Sequence, residues 1–306
     1  MAGWRILDFS AFEGKLSYQR GQVVVKRANG ESTSVPLSDT AVVLVGLKAS
    51  LGGSLLHQLA AFDVVVLFCD WRGVPVSGSY PWNSHTRVGA RHLAQVRLTK
   101  PRRKNAWGRI VRAKVAGQGA NLAALGRPAA HTLAEIGRQV RSGDPDNAEA
   151  RAAKAYWPQL FGDAGFSRRP GEGAGKNALL DYGYAIMRGF AVRAVLEAGL
   201  IPALGLCHKG RSNPFNLADD LIEPFRPVVD WMVVNLPENS SPNHPAVKAS
   251  LATATSVAFT SAGYGAAAEL RHLAQDLGNY VEGQVDRLPV PVWEPPSVET
   301  GAAQIG

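Results

Sequence analysis

Residues 64–82 read VVVLFCDWRGVPVSGSYPW and contain the boundary that decides the fold class of this 306-residue chain. Two strand-like runs, Val64–Asp70 and Pro75–Ser79, end a series of short alternating or apolar segments, a pattern typical of β-strands. After Pro81 and Trp82 the spacing of apolar residues becomes helical and stays so. We therefore predict an α+β protein, with a small N-terminal β-rich domain followed by a larger α-helical C-terminal domain.

The expected N-terminal β domain covers residues 1–80. Glycines such as Gly14, Gly21 and Gly30 mark turns between its short runs. One segment differs, since Ser50–Phe62 has apolar residues three or four positions apart, which predicts one short helix. The other expected strands are Trp4–Ser10, Lys15–Arg20, Gln22–Arg27, Ser34–Pro36 and Val42–Val45.

The expected helical domain covers residues 81–287, and residues 288–306 follow as a tail. Helical spacing predicts segments near 85–116, 128–140, 145–160, 176–199, 214–232 and 245–285. The tail reads LPVPVWEPPSVETGAAQIG, with four prolines and little periodicity. Because such a composition offers little apolar surface to bury, we predict a Pro-rich, flexible tail.

Positive charge is concentrated in one part of the chain. The net charge is +8, yet no Asp or Glu lies between Trp71 and Ala134, where twelve Lys or Arg occur. Concentrated cations attract a polyanion, because each phosphate that they neutralise releases condensed counterions. We predict a nucleic-acid partner; the alternative is a solvated basic helix face without one. The twelve are Arg72, Arg87, Arg91, Arg97, Lys100, Arg102, Arg103, Lys104, Arg109, Arg112, Lys114 and Arg127.

Composition argues against several other classes. The longest apolar runs are far shorter than the roughly 20 residues of a membrane-spanning helix. The start of the chain lacks the long apolar stretch of a secretory signal. The two cysteines, Cys69 and Cys207, are too few for a disulfide framework or a structural zinc site. We expect a cytoplasmic protein with no membrane contact and with both thiols buried.

The densest group of polar side chains lies in Leu206–Asp230, which reads LCHKGRSNPFNLADDLIEPFRPVVD. Asn213 can cap a helix that Pro214 opens and that carries three acids. Residues three or four apart share a helix face, so two or three carboxylates converge. Such crowding favours a metal ion or a raised carboxyl pKa; the alternative is that first-turn acids merely interact with the helix dipole. The acids are Asp219, Asp220 and Glu223.

Two further residues complete a candidate metal site. His208 ends an apolar run just before a glycine-containing loop, and a helix that begins at Asp144–Pro145 carries Glu149 on a face of small residues. A carboxylate on a packing face needs a partner. Carboxylates with one imidazole suit Mg²⁺ or Mn²⁺ better than Zn²⁺ or Ca²⁺. The implied chemistry is phosphoryl transfer, in which a metal polarises a phosphodiester and stabilises the leaving oxygen.

The stretch GEGAGKN at Gly171–Asn177 superficially resembles a nucleotide-binding P-loop. It has three residues between its glycines where that motif has four, and Asn177 replaces Ser or Thr, so we reject that interpretation. Arg168 and Arg169 precede it, and the segment is either a basic loop that follows a DNA backbone or a solvated connector. The candidate DNA contacts are Arg102, Arg103, Lys104, Arg109, Arg112, Arg168 and Arg169.

Five segments together resemble the Cas1 family, the CRISPR-associated integrases of spacer acquisition, with details closest to its type II members. They are GWRILDFS, KLSYQRGQVVV, AEARAAKAYWPQLF, NALLDYGYAIM and GLCHKGRSNPFNLADDLIEPFRPVVD, and the last is the most specific. In that family a β-rich domain joins a helical domain whose metal is held by a Glu, a His and a further acid. The resemblance places these catalytic and metal-binding roles on Glu149, His208 and Glu223, with Asp220 as a further candidate ligand and Asp219 as a weaker one.

The resemblance also implies an activity and partners. The activity is that of a metal-dependent DNA endonuclease and integrase, in which the 3′-hydroxyl of a foreign DNA fragment attacks a phosphodiester at the CRISPR repeat. The implied partners are this DNA, a second copy of the chain, the small ferredoxin-like Cas2 subunit and, as a further candidate, the type II effector nuclease. Tyr182, Tyr184 and Asn177 lie in the family's tyrosine-containing helix, where a core role is at least as well founded as DNA contact.

Three rival functions fit some of the same residues. A non-catalytic DNA-binding scaffold would leave the acids structural, and Glu149→Ala would leave its function intact. A hydrolytic nuclease for branched DNA would use the same site with water as the nucleophile. A metallohydrolase for small phosphate esters would leave the acid-free basic stretch unexplained.

Overall fold

The structure, a computed structural model, describes residues 5–71, 75–81 and 85–296. Strands come first and helices follow, which confirms the predicted α+β class. Trp4, the first residue of the predicted strand Trp4–Ser10, lies outside the described residues. The strands are β1 Arg5–Phe9, β2 Gly14–Gln19, β3 Gln22–Arg27, β4 Ser32–Pro36, β5 Thr40–Val45, β6 Ala49–Leu51, β7 Val65–Cys69 and β8 Pro75–Ser79.

These strands form two sheets. The first has the order β1-β5-β7-β8, in which β1, β5 and β7 are parallel and β8 is antiparallel to β7. The second has the order β4-β3-β2-β6, and its centre is the antiparallel pair β2 and β3. The turn between these two strands contains Arg20 and Gly21, both with positive φ.

The first sheet is buried on both faces. Successive residues of a strand point to opposite faces, so alternate residues of β5 and β7 enter two different hydrophobic clusters. Val43 and Val66 pack with the second sheet and with the short helix Gly53–Ala61. Val42 and Leu67 face the helices, and this sheet therefore joins the β-rich part directly to the helical part.

The helices are α1 Gly53–Ala61, α2 Val88–Val96, α3 Lys100–Ala124, α4 Ala130–Gln139, α5 Ala148–Phe161, α6 Gly175–Glu197, α7 Asn216–Leu221, α8 Arg226–Val234, α9 Pro245–Ala252 and α10 Ala266–Val281. Two 3₁₀ turns, Glu223–Phe225 and Thr253–Thr255, lie between them. The predicted segment 85–116 is thus two helices, because Thr99 is extended and Pro101 opens α3. Among the helices that the structure describes, none is long and apolar enough to cross a bilayer.

The end of the chain corrects the prediction of a flexible tail from residue 288 onward. Leu288 and Trp293 are fully buried. Arg109 donates to the Leu288 carbonyl at 2.8 Å, and the backbone N–H of Glu294 donates to the Phe259 carbonyl at 3.0 Å. Two large apolar side chains among the prolines are enough to anchor the segment. Residues 288–296, called the C-terminal strap below, are anchored to the core by Leu288 and Trp293, and residues 297–306 lie outside the described residues.

Candidate active site

One face of α3 carries the polar side chains around which the site is built. Trp107, Lys114, Gln118 and Asn121 are spaced by seven, four and three residues, so they lie on one side of the helix. The helix packs against α5, the turn Glu223–Phe225 and α8. This face therefore meets the elements that carry the predicted acids.

Lys114 joins two of those acids. Its Nζ donates to Glu149 Oε1 at 2.6 Å and to Glu223 Oε2 at 2.5 Å. The lysine side chain is 12% exposed, Glu149 is 32% exposed and Glu223 is 4% exposed. The two predicted carboxylates thus converge, from separate elements, on one cation.

Glu223 has a second cationic partner, Arg226, whose Nε donates to Oε1 at 2.8 Å. Burial by itself would raise the pKa of Glu223, but the charges of Arg226 and Lys114 outweigh it and lower the pKa to about 2. Burial would likewise lower the pKa of Lys114, and the charges of Glu223 and Glu149 raise it instead. Glu223 and Lys114 are therefore both charged near neutral pH.

Glu149 is placed by the start of α5. The Asp144 carboxylate accepts the backbone N–H of Ala148 at 2.8 Å and that of Glu149 at 3.1 Å. These are free donors of a first helical turn, and a carboxylate there also interacts favourably with the helix dipole. Asp144 and Asn147 both have positive φ, which Asp and Asn tolerate better than most residues. The local sequence thus fixes the direction in which Glu149 leaves the helix.

His208 is held by Asp220, which is fully buried. Asp220 Oδ2 accepts the backbone N–H of Leu206 at 2.5 Å and of Cys207 at 3.1 Å, while Oδ1 lies 2.7 Å from His208 Nδ1. The hydrogen bond to Asp220 raises the pKa of His208 against the effect of burial. Because Nδ1 is engaged, Nε2 is the nitrogen left for a ligand or substrate.

Two residues maintain this arrangement. The indole of Trp107 meets the imidazole of His208 edge to face, with ring centroids 6.0 Å apart. A Cβ at Gly205 would lie 2.4 Å from the His208 carbonyl oxygen and 2.7 Å from Asp220 Oδ2, so only glycine allows this close approach. Cys207, predicted to be buried, is exposed because the loop turns outward here.

The structure corrects the prediction that the three acids of Leu206–Asp230 converge on one helix. α7 begins at Asn216, later than Pro214, since the Asn213 side chain accepts the Phe215 N–H. Asp219 binds Arg188 and Asn213 instead. The α-helix ends before Glu223, which lies in the 3₁₀ turn.

Asp220 is therefore a positioning residue, because both of its oxygens are bound to the His208 loop. Within residues 5–71, 75–81 and 85–296, no group of three or more His, Cys, Asp or Glu side chains is arranged to hold a metal ion. Glu149 and Glu223 nevertheless place carboxylate oxygens around one cation, and oxygen is the donor that Mg²⁺ and Mn²⁺ prefer. The charge of Glu223 also acts on His208, the third predicted ligand. The chemistry of these donors suits a divalent ion, and in this structure Lys114 lies between the two carboxylates.

A buried hydrogen-bonded chain lies behind the site. The carboxylate of Asp230 accepts the hydroxyls of Tyr184 and Tyr156. The amide of Asn121 then donates to the Tyr156 hydroxyl at 2.9 Å and accepts the Trp293 indole N–H at 2.7 Å. Burial raises the pKa of Asp230 to about 6, against the hydrogen bonds from both tyrosines. Tyr184 thus has a core role. For Asp230, the only signal in the sequence of a buried, hydrogen-bonded position was the apolar residues around it.

Three predicted DNA contacts on α3 donate instead to backbone carbonyls. Arg102 reaches Tyr280 and Val285, and Arg109 and Arg112 donate to carbonyls that adjoin the helix. Arg102 also stacks on the Tyr280 ring, 4.2 Å from its centroid. These arginines hold the C-terminal segment and the end of α4, which gives them a structural role, and DNA contact at them stays a prediction.

The basic loop before α6 is also tied down. Arg168 binds Asp181 and Asn177, and Arg169 contacts Glu172 at 3.3 Å. These contacts favour the second of the two interpretations, a connector, which here is bound to the start of α6. Tyr182, also in α6, donates to Asp8 of the first sheet at 3.0 Å.

In the described part of the chain, several cations have no hydrogen bond or ion pair to another side chain. They include Arg103 and Lys104, two of the predicted DNA contacts, and also Lys209 and Arg211. Lys209 and Arg211 are exposed in the loop that carries His208, which sequence reasoning had treated only as a glycine-containing connector. Arg72 lies outside the described residues.

Comparisons with known proteins agree on one family. The family model described as "CRISPR associated protein Cas1" matches residues 10–250. The CRISPR-associated endonuclease Cas1 of Neisseria meningitidis serogroup C is 39% identical over 227 residues, which cover 74% of this chain and 73% of that protein.

Solved structures share the fold at low identity. A casposase bound to integration product superposes with a TM-score of 0.74 at 18% identity, over 95% of this chain and 93% of that one. A chain of a Cas6-RT-Cas1–Cas2 complex has a TM-score of 0.74 at 18% identity, over 96% of this chain and 36% of that one.

Proposed function

The chain belongs to the Cas1 family of CRISPR-associated proteins, and we propose that it is the metal-dependent DNA integrase of spacer acquisition. The observation that carries the proposal is the convergence of the Glu149 and Glu223 carboxylates on a single cation beside the held imidazole of His208. Carboxylates and an imidazole of this kind are the ligand set of phosphoryl-transfer metals.

Glu149, Glu223 and His208 would hold Mg²⁺ or Mn²⁺. When bound, the ion supplies a Lewis acid that polarises the phosphodiester and stabilises the leaving 3′-oxygen. The surrounding residues prepare these donors: Arg226 keeps Glu223 ionised, and Asp220 fixes the His208 ring so that Nε2 is available. Asp144 directs Glu149 through the first turn of α5.

The reaction is a transesterification. The 3′-hydroxyl oxygen of the captured fragment forms a new bond to phosphorus at the repeat, and the bond from phosphorus to the 3′-oxygen of the repeat strand breaks. The attacking hydroxyl loses one proton and the released 3′-oxygen gains one, so a 3′-hydroxyl is regenerated on the repeat strand. One phosphodiester is exchanged for another, so no external energy source is needed. Hydrolysis by water would use the same donors and give cleavage without joining.

DNA contacts are proposed at Arg103 and Lys104, one turn before Trp107, and at Lys209 and Arg211 beside His208. Arg103 and Lys104 precede Trp107, whose indole contacts the His208 ring, and Lys209 and Arg211 follow His208 in the same loop. They would neutralise phosphates on either side of the reacting group.

The Cas1–Cas2 assembly among the structural neighbours supports a small Cas2 subunit as partner, and the casposase–DNA structure supports DNA. We also propose that the chain acts as a homodimer in the cytoplasm. The type II effector nuclease is a further proposed partner.

The test incubates a labelled short duplex and a supercoiled plasmid carrying the repeat with this protein and its Cas2 subunit, in Mg²⁺ or Mn²⁺. Joining of label to plasmid is expected for the wild type and is expected to be lost in Glu223→Gln. Glu238→Gln, an exposed acid outside the site, is the matched control. Cleavage without joining would instead favour the nuclease, and DNA binding without either reaction would favour the scaffold.

A further inference from the structure

Lys114 occupies the position between Glu149 and Glu223 that a divalent ion would need. Its ammonium contacts one oxygen of each carboxylate, at 2.6 Å and 2.5 Å. An ammonium and a bound metal ion cannot share this point, because both are cations and each needs the same oxygens. The metal-binding form of the site therefore requires a different position for the Lys114 side chain.

The charge balance explains why a lysine is there. Glu149 and Glu223 bring two negative charges to a poorly solvated region, and Lys114 and Arg226 bring two positive ones. Without the lysine, two carboxylates would face each other with one cation, and an uncompensated buried charge is strongly destabilising. Lys114 therefore keeps the two acids near each other in the absence of metal.

A second, independent observation identifies where the lysine can go. Gln118 is one helical turn further along α3, on the same face as Lys114, and its side chain is 2% exposed. Its Oε1 is buried and has no hydrogen-bond partner within the described residues. A buried acceptor without a partner is costly, so its presence calls for an explanation. The lysine ammonium, on a flexible four-carbon chain one helical turn away, is a suitable donor for it.

We propose that Lys114 is a positioning residue with two partners: it holds Glu149 and Glu223 in the metal-free protein and transfers its ammonium to Gln118 when the divalent ion binds. The inference rests on the proposed function, since it requires a metal at these carboxylates. Lys114 sets the affinity of the site for metal by competing for its ligands, and Gln118 stabilises the metal-bound form.

The two residues have opposite predicted effects on metal binding. Lys114→Met removes the competing cation, so Mn²⁺ should bind about tenfold more tightly or better, while the metal-free protein melts at a lower temperature. Gln118→Leu removes the acceptor of the displaced ammonium, so Mn²⁺ should bind severalfold more weakly, while the metal-free protein melts at the same or a higher temperature. In the double variant, the effect of Gln118→Leu should disappear, because there is no ammonium left to accept.

The experiment measures Mn²⁺ binding to the full chain by isothermal titration calorimetry, with melting in EDTA recorded alongside. Lys100→Met, an exposed lysine at the start of α3, is the charge-matched control and should change neither value. Gln118→Leu keeps the test decisive if Lys114→Met does not fold.

Two failures are distinguishable. If the wild type shows no Mn²⁺ binding that Glu223→Gln abolishes, the metal site of the proposed function is wrong and the inference falls with it. If the wild type binds Mn²⁺ there but Lys114→Met binds equally or more weakly, or Gln118→Leu binds as the wild type does, the competition is wrong and the metal site stands.

Discussion

Asp219, Asp220 and Glu223 are close in sequence, but each carboxylate binds a different partner. Asp219 pairs with Arg188, Asp220 binds the His208 loop, and Glu223 lies between Lys114 and Arg226. The partner decides the role, since an acid whose two oxygens are already saturated by backbone N–H groups has none left for a metal. At the scale of single residues, neighbouring acids of the same chemistry thus become a structural anchor, a positioning group and a proposed ligand.

Asp220→Asn tests the positioning role. An amide has one acceptor oxygen and places an NH₂ group against backbone N–H donors, so the loop should lose about 1–3 kcal/mol of stability. We expect joining activity to fall by more than tenfold, with DNA affinity unchanged, because His208 loses its support. Urea unfolding and the plasmid-joining assay measure the two effects. Asp219→Asn, the neighbouring acid with a different partner, should retain activity; equal losses in both variants would contradict the distinction.

Asp230 gives a prediction about pH. Its pKa rises to about 6 in the folded protein from an ordinary value of 3.8. The folded state therefore binds more protons than the unfolded state between these values, and stability falls as pH rises from about 4 to about 6, by about 3 kcal/mol. Asp230→Asn should remove this component. Melting temperatures from pH 4 to 7 should show a wild-type decline that the variant lacks; parallel curves would disprove the raised pKa.

Residue types made Glu149, His208 and the acids of Leu206–Asp230 candidates, because carboxylates and imidazoles have few other reasons to lie in apolar surroundings. The family resemblance then selected Glu223 among those acids. Lys114 was not recognised, since its partners come from two elements distant in sequence. In the sequence, Lys114 is one of twelve Lys or Arg residues in a stretch without Asp or Glu. A lysine facing the core from the middle of a helix is the signal that could have distinguished it.

At the scale of elements, α3 organises the site through close contacts on both sides. A Cβ at Gly108 would lie 2.8 Å from the Arg141 carbonyl, in the segment that leads to Asp144 and so to Glu149 on α5. Further along, a Cβ at Gly117 would lie 3.1 Å from both Pro227 and Trp293. The glycines of this helix therefore allow the backbones of neighbouring segments to approach it.

Gly108→Ala and Gly119→Ala form a matched pair on α3. Alanine favours a helix over glycine by about 0.5–1 kcal/mol, so Gly119→Ala, whose Cβ would meet Leu133 at an ordinary 3.5 Å, should stabilise the protein. Gly108→Ala would push against a backbone carbonyl and should destabilise it, with a loss of joining activity because Glu149 moves. Thermal unfolding of both variants is the measurement. Stabilisation by Gly108→Ala would show that the Arg141 segment is free to shift.

Element types followed from sequence where the period of apolar residues was clear, as in α4. The ends of elements did not follow from sequence. Asn213 was expected to cap a helix that begins at Pro214, but its side chain accepts the Phe215 N–H and the helix begins at Asn216. The strap was misjudged for a physical reason: prolines remove regular structure, but Leu288 and Trp293 bury enough surface to fix an irregular segment. Composition averaged over residues 288–306 concealed those two side chains.

At the scale of the whole molecule, the excess of positive charge serves two purposes. Part of it is structural: Arg87 and Arg91 bind Glu282, and Arg102 holds the segment after α10. The remaining exposed cations near His208 are available for phosphate. The positive electrostatic field at the proposed site therefore depends on fewer Lys and Arg residues than the composition suggested.

Lys209→Glu with Arg211→Glu should weaken DNA binding and reduce the slope of log affinity against log salt by about one for each phosphate that the variant no longer neutralises. Lys15→Glu with Lys26→Glu, two exposed lysines of the β2–β3 hairpin, changes the net charge equally and is the control. Binding titrations at several salt concentrations measure both pairs. An equal weakening in both pairs would mean that net charge alone attracts DNA and that no specific contact lies beside His208.

The C-terminal strap is connected by hydrogen bonds to the residues behind the active site, so its removal should destabilise the protein. Trp293 is fully buried, contacts Phe259 with ring centroids 5.5 Å apart, and donates to Asn121, which in turn binds Tyr156 and so Asp230. Trp293→Ala should cost about 3–5 kcal/mol, and a chain ending after residue 287 should be less stable still. A chain ending after residue 296 is the reference for the chain ending after residue 287, and Val292→Ala, at a residue 37% exposed, should have little effect. Thermal unfolding of the four proteins orders them. If the chain ending after residue 287 melts with the full chain, residues 288–296 are a dispensable tail and the connection from Trp293 to Asp230 carries no energy.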